Sequence, residues 1–175
     1  MRSVVPHILS IIFCILSGKL FSQINVATTL PIVTLLDIEP TGNIVLSFVA
    51  PTQAGLSIVN PAVNTTKWIN YTSAIASGGA TRRVTASVNQ VIPGINIRLQ
   101  AAAASGAGGG TLGTPSAQVT LTTTPITIIS GIGGAFTGNG ANNGHRLTIT
   151  LVTNTYANLS ARTNTPVVIT YTITE

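Results

Sequence analysis

The sequence predicts an all-β protein, a single antiparallel β-sandwich of about eight to ten short strands. Three observations point there. Apolar and polar residues alternate with a period of two along much of the chain, as in Leu147-Thr-Ile-Thr-Leu151 and Val167–Thr174. Clusters of Gly, Pro and Asn punctuate the alternating runs roughly every 8–15 residues, the spacing of turns between short strands. No stretch holds a helical period; the nearest, Ala101–Ala104, is cut off by Gly106 and Gly108–Gly110.

From the N-terminus, residues 1–22 read as a secretory signal peptide. Arg2 supplies the positive start, Ile8–Leu16 the apolar stretch and Gly18 its end, with cleavage expected after Ser22. Lys19 interrupts the apolar run before the roughly 20 residues that a spanning helix requires, so cleavage is expected to leave no transmembrane anchor. The predicted location is outside the cytoplasm: secreted, extracellular or cell-surface, reached through the periplasm if the source is Gram-negative. The single cysteine, Cys14, falls in the leader, so a chain starting at Gln23 has no disulfide.

The rest, residues 23–175, is expected to form one domain. A chain of about 150 residues can bury roughly 70% of its unfolded surface in a single core. Gln23–Leu36 is either a first strand or a segment for donation, and Pro31–Ile38 carries the first alternating run. Pro40-Thr-Gly-Asn43 then predicts a tight turn, with Gly42 at positive φ. Ile44–Val49 is apolar at nearly every position and predicts a strand buried on both faces. Lys67–Ser73, Val84–Val88 and Ile95–Leu99 follow, separated by Ser77-Gly-Gly79 and Pro93-Gly94. Ser105–Pro115 reads as a glycine-rich loop, Ala117–Thr122 and Pro125–Ile132 as strands, and Gly131–Gly144 as a second long loop. Leu147–Leu151 and Val167–Thr174 complete the set. Threonine occupies many outward positions, giving a wet face without charge. The terminal run Pro166–Thr174 carries no charge until Glu175, so it lacks the usual guard against edge pairing.

Charge is scarce. Only 6% of residues are Asp, Glu, Lys or Arg, and the carboxylate side chains are Asp37, Glu39 and Glu175. General acid–base, nucleophilic and metal chemistry need such groups gathered together. The expectation is therefore a non-enzyme with no catalytic, cofactor-binding or metal-binding residues. Lys67, Arg82, Arg83, Arg98, Arg146 and Arg162 are dispersed, which excludes the dense basic stripe of a nucleic-acid binder.

Four features are candidates for a functional site. Asp37 and Glu39 would share a strand face, but two carboxylates supply too few oxygens for calcium; they read as solvent-facing charge at a strand end. His145 reads as a surface histidine at a loop–strand junction. The glycine segments Gly131–Gly134 and Gly138–Gly140 lack the phosphate-cradle spacing and a following helix. In Trp68-Ile-Asn-Tyr71, Trp68 shares a face with Asn70, and the shortage of aromatics places Trp68 in the core. An alternative ligand set for a glycan or other surface ligand comprises Trp68, Asn70, Asn139, Asn143 and His145.

A signal peptide, a Thr/Gly/Ala-rich β domain and an alternating C-terminal strand Val167–Thr174 together resemble bacterial fimbrial, pilin-like and spore-coat-U-like secreted proteins. Pilins of the chaperone–usher type end in an alternating strand with a tyrosine near the C-terminus, the place that Tyr171 takes here. The resemblance implies an Ig-like sandwich and a donated N-terminal strand corresponding to Gln23–Leu36. It also implies self-association, or association with other surface subunits, through Ile24, Val26 and Leu30 or through Val167, Ile169, Tyr171 and Ile173. The functional expectation is a structural or adhesive surface subunit assembling by strand addition; the alternative is a monomeric extracellular binding module.

Overall fold

The computed structural model describes residues 22–175, and the chain divides between Leu30 and Pro31 into two units. In the first unit, residues 22–30 form no strand and are exposed; the leader expected over 1–22 lies, Ser22 apart, outside the described residues. The second unit, Pro31–Glu175, carries nine strands: β1 (Val33–Glu39), β2 (Asn64–Ala74), β3 (Arg82–Val88), β4 (Ile95–Ala101), β5 (Gly109–Pro115), β6 (Val119–Thr120), β7 (Ile126–Phe136), β8 (His145–Thr153) and β9 (Ile169–Thr174). The fold is all-β. Its one helical element among the described residues is a single 3₁₀ turn at Tyr156–Asn158.

All nine strands join one antiparallel sheet in the order β6-β4-β8-β2-β7-β3-β9, with β1 added to β2 and β5 added to β7. Two long strands make this possible. One edge of β2 carries β1, while the other pairs with β8 through Ile69 and then with β7 at Thr72↔Phe136 and Ser73↔Ala135. β7 likewise holds β5 on one edge and β3, then β2, on the other. The arms β6-β4-β8-β2-β1 and β9-β3-β7-β5 thus meet through the short β2–β7 pairing.

Period-two alternation sets the core. Ile69 and Tyr71 of β2, Val84, Ala86 and Val88 of β3, Ile97 and Leu99 of β4, and Leu147 and Ile149 of β8 are all buried in one cluster. β7 departs from strict alternation, with Ile128, Ile129 and Ile132 all buried. Its register against β3 shifts twice, from Arg82↔Ile132 to Val84↔Ile129 and again to Thr85↔Thr127. Each shift is an extra residue on β7, a bulge that turns the next side chain back inward.

Two sequence expectations are corrected. Ile44–Val49 is not a strand; it makes only the isolated bridge Val49↔Val59. Ile44 and Leu46 pack half-buried against the core while Val45 is exposed, so the segment seals the core with one face and joins no ladder. Conversely, Gly109–Pro115 of the first glycine-rich segment and Gly131–Phe136 of the second are strand and pair with each other, Gly110↔Ala135 and Leu112↔Ile132 among the partners, while 137–143 remains loop. Glycine is required there by proximity. A Cβ on Gly110, at φ +85°, would strike the Gly134 carbonyl oxygen. The Pro40–Asn43 turn does place Gly42 at positive φ, 101°, and Lys67 Nζ donates to the Pro40 and Gly42 carbonyls at 2.5 and 2.6 Å.

Candidate functional site: the outer face of β1, β2 and β7

Cross-strand partners share a face of the sheet, and the register builds one outward row across four strands: Leu35, Thr72, Phe136 and Gly109. Beside it lies the pair Asp37↔Asn70, and beyond that Glu39↔Trp68. Leu35 is 63% exposed and Phe136 52%, both outside the buried core. Together with Asp37, Asn70 and Asn139 they line an open cleft of about 560 Å³.

The polar end of this cleft is held by the segment after β7. Asn143 organises it: its Nδ2 donates to the Asn139 carbonyl at 2.7 Å, and its Oδ1 accepts from the Ala107 amide at 2.9 Å. Its carbonyl in turn accepts from Asn70 Nδ2 at 2.7 Å. Asn70 is only 5% exposed, and its Oδ1 is buried without a hydrogen-bond partner. Gly144 lets the segment lie this close, since a Cβ there would collide with the Ile69 carbonyl oxygen. Across from Asn70, Asp37 Oδ1 accepts from the Ile38 amide at 2.7 Å.

Of the sequence-derived ligand set, the structure therefore gathers Asn70, Asn139 and Asn143. Trp68 shares the outward face with Asn70 as expected, but it is half-buried there and does not join the core. His145 is the larger correction. It is fully buried rather than on the surface, because it stands in phase with Leu147 and Ile149 on β8. Its Nδ1 donates to the Ala102 carbonyl at 2.8 Å. Its Nε2 lies 2.9 Å from the Tyr71 hydroxyl and 3.2 Å from the Leu112 carbonyl, and the Tyr71 hydroxyl also donates to that carbonyl. Burial lowers the His145 pKa from its ordinary value, opposed by the Ala102 and Leu112 carbonyls, which favour the charged ring. Burial pushes the Tyr71 pKa up.

Sequence reasoning also missed Arg82, which is buried and donates through Nη1 to the Val33 carbonyl at 2.6 Å and Ser73 Oγ at 2.9 Å. Its Nη2 stands 4.0 Å from Glu175 Oε1. Strand phase was the available signal, since Arg82 shares its face with Val84 and Ala86. The proposed assembly residues fall into two groups. Ile24, Val26 and Leu30 are 87%, 82% and 84% exposed, whereas Val167, Ile169, Tyr171 and Ile173 are half-buried against the core. Val33–Leu36, the end of the N-terminal segment, lies in β1 and pairs with β2 of the same chain.

Among the described residues no helix is long and apolar enough to cross a membrane. No three His, Cys, Asp or Glu side chains gather there into a metal-binding group. No family model matches the chain, and no curated protein or solved structure shows significant similarity to it.

Proposed function

We propose that this chain is a secreted, non-catalytic structural or adhesive surface subunit that assembles by β-strand addition. In this reading the two arms of the sheet face each other as layers of a sandwich, and the leader is removed after Ser22.

The observation that carries the reading is an unpaired alternating segment. With Thr28 between them, Ile24, Val26, Leu30 and Ile32 fall on one face of a period-two pattern; these four are each at least 66% exposed, in a segment that forms no ladder. An apolar series with this period is built to cover one face of a sheet. The receiving place in this reading is an edge strand. β1 and β9 end the two arms and each has a single strand partner among the described residues. Their inward side chains, Leu36 and Ile38 on β1 and Ile169, Tyr171 and Ile173 on β9, are only half-buried, whereas those of β3 are nearly sealed. A strand from a neighbouring copy would gain main-chain hydrogen bonds along such an edge and fill the alternate pockets. Each large aliphatic side chain fully buried would add about 1.5–3 kcal/mol.

The test is deletion of Gln23–Leu30, with mass measured by light scattering after size exclusion and shape by electron microscopy. The expected result is assembly by the intact chain and a folded, soluble monomer from the truncated one. Normal polymerisation of the truncated chain would overturn N-terminal donation. A strictly monomeric intact chain would favour the second reading, a binding module, for which the cleft on the outer face is the specific support.

A further inference from the structure

The cleft between β1, β2 and the end of β7 has a composition that strand addition does not explain. We infer that it is a binding site for a neutral pyranose sugar, and this inference does not depend on assembly.

Its two ends differ chemically. At one, Phe136 and Leu35 stand largely exposed on either side of Thr72, on sheet surfaces where threonine is the usual outward residue. Phe136 is flanked by Thr72 on one strand and on the other by Gly109, against which its ring lies, and about half of it stays open to solvent. Sugars present C–H faces that lie against such rings, with hydroxyls projecting around the edge. At the other end stand an acceptor-only carboxylate, Asp37, the exposed Asn139, whose amide offers both donors and acceptors, and the buried Asn70.

Asn70 supplies an independent indication. Its Nδ2 is engaged by the Asn143 carbonyl, yet its buried Oδ1 has no partner. Nearly all buried polar atoms are hydrogen-bonded, and a donor-bearing ligand reaches this covered acceptor only with a small shift of the Asn70 side chain toward the cleft. Hydroxyl groups are such donors. The volume, about 560 Å³, lies in the range that holds a small ligand. No Lys or Arg lines it and Asp37 does, which disfavours acidic sugars. With one carboxylate present, the cleft lacks the flanking pair that glycoside hydrolysis uses, so the site binds without cleaving.

The experiment is an NMR titration of the full chain with methyl glycosides of glucose, galactose and mannose, and with methyl glucuronide as the acidic control. At about 50 mM even a millimolar site is filled. At least one neutral glycoside is expected to shift the Asn70 and Asn139 side-chain amides and the signals of Asp37 and Phe136. Glucuronide should bind at least about tenfold more weakly. Phe136→Ala should weaken the neutral glycoside about tenfold, and Asp37→Asn should narrow the discrimination against glucuronide. Asp37 is an exposed site, so its variant keeps the test informative if the Phe136 variant fails to fold. No response to any of the three neutral glycosides would overturn the proposal. So would shifts centred on Trp68 instead, or unchanged affinity in both variants.

Discussion

His145 and Tyr71 form a stacked, hydrogen-bonded pair inside the core, with ring centroids 5.7 Å apart and planes 22° from parallel. The pair joins β8 to β2, and through the Leu112 and Ala102 carbonyls it reaches β5 and the end of β4. A buried imidazole gives this cluster a pH signature.

Burial depresses the His145 pKa below its ordinary value of 6.5. The unfolded chain then binds the proton more readily than the folded one, so folding stability rises with pH across that interval. The stabilisation is present above about pH 6.5 and is lost as pH falls toward the folded-state value. Urea denaturation at pH 7.5 and pH 5 should show the midpoint moving down at the lower pH. His145→Gln should lose most of this dependence while being less stable at both.

Tyr71→Phe removes one hydroxyl that serves both Leu112 and His145. Leaving buried groups unpaired costs about 1–3 kcal/mol. The expected result is a shift of that size in urea unfolding with the strand content unchanged by circular dichroism.

Arg82 ties three strands together. Its guanidinium holds the Val33 carbonyl of β1 and Ser73 of β2 from its own place on β3. Arg82→Met should therefore cost about 1.5–3 kcal/mol, the range for hydrogen bonds to charged groups. Glu175 is 65% exposed, and solvent screens its interaction with Arg82, so Glu175→Gln should cost under about 1 kcal/mol. Comparable losses in the two variants would contradict this division.

Glycine substitutions separate contact from composition. Gly144→Ala would drive a Cβ into the Ile69 carbonyl at a positive φ of 77°, and should destabilise the chain by more than about 1 kcal/mol. Gly134 has an ordinary φ and nothing within 4 Å of its added Cβ, so Gly134→Ala should stay within about 0.5 kcal/mol. Thermal unfolding of the two variants side by side checks the pair.

Much of the fold was legible because a strand with one buried face writes a period of two into the chain. Leu147–Leu151, Val84–Val88 and Ile95–Leu99 all lie in strands with those apolar residues turned inward, seven of the nine apolar positions buried and Ile95 and Leu151 half-buried. The same phase also pointed Lys67, Arg82 and His145 inward, at or near the starts of their strands, but residue type argued for the surface and obscured it. Glycine misled in the other direction. Gly109–Pro115 and Gly131–Phe136 look like loops because glycine has no strand preference, yet they pair with each other where backbones approach too closely for a Cβ.

The sequence by itself determined that the chain is all-β, where most strands run and that few titratable groups are present, because these follow from local periodicity and composition. The tertiary structure decided which strands pair, that Ile44–Val49 joins no ladder, and that His145 and Arg82 find partners inside. It also decided that Leu35, Asp37, Asn70, Phe136 and Asn139 line one cleft. Those outcomes depend on contacts between residues far apart in the chain, on strand register and on bulges. No local pattern encodes which distant carbonyl a buried side chain will meet.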